Sequence, residues 1–454
     1  MRLSIITLLT LISGSKIDAF APATSSLRSS TSTSLFAFID VDERAQRNLG
    51  SFDDWAASNG IGKVPSFQIT SEDGVDFSVI TTQDLAAGQT ILGVPAAMIL
   101  SSSKAKAELE GAGNGGVKDA VDLLYRMGAG ESVPHFYLFL KVLVEFLRRD
   151  QSVFFPWLDS MPRLFFNSVS MTDFCYECLP PYVFRLSRVE RAKFDNFCEA
   201  LQKVDIIPEK VKVDKDLCKW AFNVVHTRSV GEQGGEQSIV PMADMFNHGT
   251  DTEVLLNFDD DGNCQASTTR DVPAGSPLRL SYGCPTNPSY FFTRYGFLDQ
   301  SSPGTFCKIL DIQPTPELVD IGLDFSKMLF YKETGDISEQ VWDVVLYAKV
   351  LTMKPDLKQR FYEAHMTGDI DSKRAIHGEY ALETATELKN HVDMFLRTLD
   401  DLSAKAVGKD VQDHPRLPLI MNHNEFVKET FLAVKARLDP AVEQMASQRQ
   451  SQMA

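Results

Sequence analysis

Cysteine is scarce in this chain of 454 residues, and the seven present (Cys175, Cys178, Cys198, Cys218, Cys264, Cys284, Cys307) are odd in number and scattered. A disulfide framework is therefore excluded, and reduced thiols are expected. Cys175 and Cys178 form a single C-x-x-C without a second pair, so no metal site is expected. Excess positive charge is also missing: 45 Lys and Arg face 61 Asp and Glu, a net charge of −16. That balance excludes a broad phosphate-binding surface, hence nucleic acid as a partner, and favours encounter with basic protein surfaces. No apolar run reaches the roughly 20 residues that a membrane-spanning helix needs, so no membrane partner is expected. Glycine-rich phosphate loops are lacking too. Gly111–Gly116 and Gly231–Gly235 sit between no strand and helix and lack the Gly-Lys-Ser/Thr ending.

What is present is ample core material. With 44% hydrophobic, 23% charged and 10% aromatic residues, the composition is that of a folded globular chain. Residues 1–19 carry Arg2, an apolar run from Ile5 to Ile12 and a cleavage point after Ala19, as a signal peptide does. Residues 20–38 follow with Phe20, Ala21, Pro22 and a Ser/Thr-rich tract that has Arg28 and no acid. The junction Ala19–Pro22 resembles the bipartite presequences that carry proteins into the complex plastids of diatoms and related algae. The resemblance implies a plastid stromal protein.

Strand-like segments rich in β-branched residues occur at Asp76–Thr82, at Gln89–Ile99, and again between Thr252 and Tyr282 with turns at Asp259–Gly262 and Pro273–Gly275. Asn257-x-Asp259-x-Asp261-Gly262 mimics the start of a calcium loop, but Thr268 stands where a bidentate Glu is required, so the segment reads as a hairpin turn. Between the two strand blocks, helices are predicted over Phe136–Arg149, Arg188–Val204 and Asp214–Arg228. Beyond Ser301 the pattern is helical, notably Ser338–Leu351, Ala375–Leu399 and Glu425–Leu438, with no comparable strands.

The segment Ile239–His248, ending in Asp244-Met245-Phe246-Asn247-His248, is followed by Leu278–Gly283 with Tyr282, by Asn287, and by Tyr295-Gly296-Phe297. These motifs resemble the SET-domain methyltransferases, in particular the branch of the Rubisco large-subunit lysine methyltransferase. Trp157–Pro162, Trp220–Phe222 and Thr227–Ser229 agree with the same branch, so that the similarity spans about residues 60 to 440.

The resemblance implies an α+β fold. A SET domain over 39–304 is split by a helical insertion at about 103–235 and followed by an all-α substrate-binding domain over 305–454. It further implies an S-adenosylmethionine-dependent protein-lysine N-methyltransferase, monomeric, acting on a folded plastid protein such as the Rubisco large subunit or aldolase that presents a lysine. By resemblance, Asn247, His248, Asp244 and Arg228 hold the cofactor, together with the loop residues Phe77, Ser78 and Val79, where Ser78 replaces a usual Gly. Methyl transfer is an in-line displacement that gains chiefly from positioning, and a tyrosine hydroxyl at a strand end suits that role, which falls to Tyr282. Lysine has a pKa of about 10.4, so a neutral amine needs a dry aromatic channel, for which Tyr295, Phe297 and Phe246 are the candidates. Two alternatives stand beside this reading. One is a degenerate SET-fold binding module, given the altered first loop. The other is a protein-histidine N-methyltransferase of the same family, in which an Asn contacts the imidazole where this chain has Val230.

Overall fold

The computed structural model describes residues 38–111, 115–231, 235–283, 288–309, 311–324 and 326–453. The presequence, Cys284, Asn287 and the middle of each glycine-rich stretch lie outside the described residues.

The central sheet is antiparallel, in the order Gly62–Lys63, Thr90–Val94, Cys264–Thr268, Val254–Phe258. Its middle pair joins segments from either side of the helical insertion, with Val94 opposite Cys264 and Leu92 opposite Ala266. Alternation explains the register: Cys264, Ala266 and Thr268 face the core while Gln265 is exposed. At the tip of the last hairpin, the Asp259 carboxylate accepts from the backbone N–H of Asp261 and Asn263 at 3.0 and 2.9 Å, and Gly262 takes φ +77°. This is a side-chain-closed turn, as the missing twelfth ligand implied.

Two smaller pairings position the site. Phe67–Thr70 and Ser78–Thr81 form a hairpin, and the Val79 carbonyl in its second strand accepts from Leu278 N–H at 2.8 Å. Asn247–His248 runs parallel to Arg279–Leu280, so two distant segments lie side by side. A third small sheet, Leu100–Ser101 with Gln237–Ile239 and Val230–Gly231, closes the insertion at its base. The expectation of helix throughout that interval is corrected there.

Within the insertion, the Val133–Arg148 helix buries five consecutive residues from Phe136 to Leu140. Burial along that stretch runs nearly all round the helix, because the helices Ser102–Gly111 and Lys215–Arg228 pack against it. The Lys215–Arg228 helix is capped by Asp214, which accepts from Leu217 N–H at 3.0 Å. The preceding helix starts at Pro181 rather than Arg188, with proline in the first turn, where a missing N–H costs nothing.

The C-terminal region is helical except for a two-stranded ribbon, Gly304–Phe306 with Leu329–Tyr331. Its core brings together Val341, Val344, Leu388, Val392, Phe395 and Phe431 from helices that include Ala381–Ala406 and Leu417–Met453. Arg416, just before the last helix, is buried. It donates to the Phe165 carbonyl at 2.9 Å and to both Glu43 carboxylate oxygens at 2.7 and 2.8 Å, tying the C-terminal region to the front of the chain.

Candidate functional site

Two clefts flank the parallel pair Asn247–His248 and Arg279–Leu280. The larger, about 570 Å³, is lined by Arg47, Gly74–Phe77, Arg163, Met245, Asn247 and Phe297 among others. The smaller, about 400 Å³, is lined by residues that include His135, Val230, Leu256, Tyr290 and Arg294. Both share Thr227, Arg228, Asp244, Tyr282 and Tyr295, so they meet at one point.

Tyr282 is fixed at both ends. Its backbone N–H donates to His248 Nδ1 at 3.1 Å, and its hydroxyl donates to the Phe246 carbonyl at 2.6 Å. Burial pushes the phenol well above its ordinary pKa, so it stays protonated and serves as a neutral dipole, not a phenolate base. Because Nδ1 accepts, His248 carries its proton on Nε2, which points toward Asp299 at 3.6 Å. Burial also holds that imidazole below its usual pKa, keeping it neutral.

Asp244 reaches the site on a turn that begins at Met242, a non-glycine residue at φ +70°. Holding that conformation costs on the order of 1–3 kcal/mol, so the packing around Met242 enforces it. The Asp244 carboxylate is fully buried and accepts from Trp157 Nε1 at 3.0 Å, with Arg228 at 3.5 Å. Burial raises its pKa against the opposing pull of Arg228 and Trp157. Arg228 also donates to the Asp244 carbonyl at 2.5 Å. Two groups of this pair remain orphaned: Arg228 Nε and Asp244 Oδ1 are buried with no hydrogen-bond partner among the described residues. Orphaned polar groups at a cleft wall mark a place where a polar ligand completes the structure.

Of the loop residues, Phe77 lines the larger cleft, and its carbonyl accepts from Asn247 Nδ2 at 3.2 Å. Ser78 and Val79 do not reach the cleft; they have entered the strand, and the Val79 side chain is completely buried. The loop is shaped by Asp73, whose carboxylate accepts from Val75 and Asp76 N–H at 2.8 and 2.9 Å. Tyr295 and Phe297 stand where expected, with ring centroids 5.0 Å and 6.2 Å from Tyr282. Phe246 is among the residues that line the smaller cleft. Its ring is buried edge-on to Phe67, and its carbonyl holds the Tyr282 hydroxyl.

Arg47 was not legible in the sequence, because no motif surrounds it and its partners come from distant segments. Its guanidinium lies 4.4 Å from the Phe77 ring centroid and donates to the Ser160 carbonyl at 2.7 Å. Burial and the neighbouring Arg228 charge push its pKa down to about 9. Phe291 is a second such residue, stacked on Phe297 with centroids 5.4 Å apart. Among the described residues, no group of three or more His, Cys, Asp or Glu side chains is placed to hold a metal, and no helix is long and apolar enough to cross a membrane.

No protein-family model matches the chain. It is 28% identical over 184 residues to SET domain-containing protein 4 of Artemia parthenogenetica, covering 38% of this chain and 46% of that protein. The actin-histidine N-methyltransferase of Rhinolophus ferrumequinum is 22% identical over 414 residues, covering 85% of this chain and 65% of that protein. The chain thus spans about half to two thirds of the length of the curated relatives it matches. The structure of Rubisco LSMT bound to AdoMet superimposes with TM-score 0.57 at 15% identity, covering 87% of this chain and 92% of that one. The SET domain of LSMT bound to MeLysine and AdoHcy gives TM-score 0.59 at 14% identity, covering 88% and 93%. The chain has the SET-domain fold with a large helical C-terminal region.

Proposed function

We propose that this chain is an S-adenosylmethionine-dependent protein N-methyltransferase that acts on a lysine of a folded plastid protein. The observation that carries the reading is the meeting of two clefts at a neutral, doubly anchored Tyr282 beside the orphaned Arg228–Asp244 pair. The larger cleft falls in the size range of small-ligand sites, and its cations Arg47 and Arg228 suit a ligand carboxylate. Asn247 and Phe77, joined by a hydrogen bond from Asn247 Nδ2 to the Phe77 carbonyl, line the same cleft. AdoMet- and AdoHcy-bound LSMT structures share the fold and support the choice of cofactor.

When bound, S-adenosylmethionine supplies an activated methyl group. The chain contributes position and electrostatics. Tyr282 presents a protonated hydroxyl and the Phe246 carbonyl at the junction, fixing the direction from which an acceptor approaches. The rings of Tyr282, Tyr295 and Phe297 exclude water, and with Arg228 they disfavour the charged form of an entering amine. A lysine is thereby presented neutral.

A histidine acceptor is the second reading, favoured by the actin-histidine methyltransferases among the relatives. Val230, which lines the smaller cleft, offers an imidazole no hydrogen bond, and this supports lysine. The leader supports a stromal address and thus substrates such as the Rubisco large subunit or aldolase. Residues 39–304 would then carry the chemistry and 305–454 grip the substrate, in a monomer. The test is incubation of the full chain with labelled S-adenosylmethionine and a plastid stromal extract, followed by mass spectrometry of labelled proteins. Methyl-lysine on a stromal protein supports the proposal, methyl-histidine replaces it with the second reading, and absence of cofactor binding by calorimetry leaves only a binding module.

A further inference from the structure

Arg294, in the last turn of the Pro288–Tyr295 helix, forms no salt bridge among the described residues, although the Glu190 carboxylate supports its charge from beyond contact distance. Its Nε donates to the His226 carbonyl at 3.3 Å, a terminal nitrogen donates to the Tyr290 hydroxyl at 2.9 Å, and the guanidinium lies 5.4 Å from the Tyr295 ring centroid. It lines the smaller cleft and also a neighbouring hollow of about 210 Å³, which His135, Lys193 and His226 share. Among the described residues, no carboxylate pairs with it. Glu190, on the helix behind, engages Lys193 at 3.1 Å and His226, and Asp244 engages Arg228 and Trp157. Glu131, exposed, is the one acid on the hollow's wall.

A second observation points the same way. His135 Nε2 is buried at this junction with no hydrogen-bond partner among the described residues, and burial beside His226 and Arg294 pushes the imidazole down to about 3, so it stays neutral. In a chain of net charge −16, the hollow still holds two cations, Arg294 and Lys193, against the exposed Glu131 on its wall. The half-buried guanidinium uses only part of its donor set in two neutral hydrogen bonds and a ring contact, which leaves N–H groups free to face the cleft. A carboxylate on the ligand would engage them, with the bidentate geometry that arginine favours.

Resting on the methyltransferase reading, we infer that Arg294 is a specificity determinant that selects acceptor segments with an acidic side chain next to the methylated residue. The test uses the full chain, labelled S-adenosylmethionine and synthetic peptides with a single lysine, in which each neighbouring position holds glutamate, glutamine or lysine. Wild type is expected to favour glutamate over glutamine at one position by about tenfold in kcat/KM, carried by KM. Arg294→Gln should abolish that ratio, Arg294→Glu should shift it toward lysine, and Tyr290→Phe, which removes only the brace, should weaken it. Arg294 does not line the larger cleft, so calorimetric affinity for S-adenosylmethionine should be retained in all three and reports correct folding. A flat wild-type profile, a preference unchanged in Arg294→Gln, or no peptide accepted despite cofactor binding would overturn the inference. Failure of wild type to bind the cofactor would overturn the methyltransferase reading beneath it.

Discussion

Tyr282 stands at the junction because two hydrogen bonds, one from its backbone and one from its hydroxyl, leave it a single orientation. The hydroxyl stays protonated, so its contribution is dipolar. Losing one preorganised dipole costs about 10²–10³ in rate. Single-turnover measurements on Tyr282→Phe should show a loss of that size with cofactor affinity within a few-fold of wild type. Arg47 offers a second test: if its cation faces a ligand carboxylate, Arg47→Met should weaken calorimetric binding of S-adenosylmethionine about tenfold, and Arg47→Lys less. At this scale the contiguous motif brings Asp244 and Asn247 to the larger cleft, whereas His248 lines neither cleft and instead accepts from the Tyr282 backbone. The sequence was silent on Arg47, whose role exists only because residues 75–77 and 160 come near in space. For Phe246, which lines the smaller cleft, it named the side chain and could not show that the carbonyl holds the Tyr282 hydroxyl.

At the scale of elements, both segments of the parallel pair Asn247–His248 with Arg279–Leu280 carry residues singled out in the sequence, but their pairing is a finding of the structure. The ribbon Gly304–Phe306 with Leu329–Tyr331 was not anticipated. Three-residue strands give no measurable alternation, and their pairing depends on a close approach at Gly304, where a Cβ would lie 2.5 Å from the Phe330 carbonyl oxygen. The last helix was underestimated because its pattern was read as ending at Leu438, yet it continues through Pro440 to Met453. Gly296 connects an element to the site. It has φ +81°, and a Cβ there would sit 2.5 Å from the backbone of Phe166 and Asn167. Gly296→Ala should therefore push the Tyr295–Phe297 segment off its support and lower stability by about 2 kcal/mol in urea denaturation, with a parallel loss of transfer activity.

At the scale of the whole molecule, Lys308 links stability to pH. It is 2% exposed, donates to Ser289 Oγ at 2.8 Å and lies 4.7 Å from the Tyr182 ring centroid; burial pushes its amine down to about 7. An unfolded lysine holds its proton up to about pH 10.4. Between those values the unfolded chain binds a proton that the folded chain has released, so this site's effect on stability improves as pH rises from about 7 to about 10. Lys308→Met should accordingly be more stable than wild type near pH 7, by an amount that shrinks toward pH 10; a difference independent of pH would refute the assignment. Net charge, by contrast, was readable at once and is distributed unevenly, since the chain is acidic while both clefts hold cations. The account as a whole rests on the junction of those clefts being a methyl-transfer centre. The most direct measurement is transfer of label from S-adenosylmethionine to stromal protein by wild type and Tyr282→Phe, with cofactor affinity measured in parallel. Labelled lysine from wild type and initial-rate labelling lower by about 10²–10³ from the variant, at similar affinity, is the predicted result; equal labelling by both proteins would contradict it.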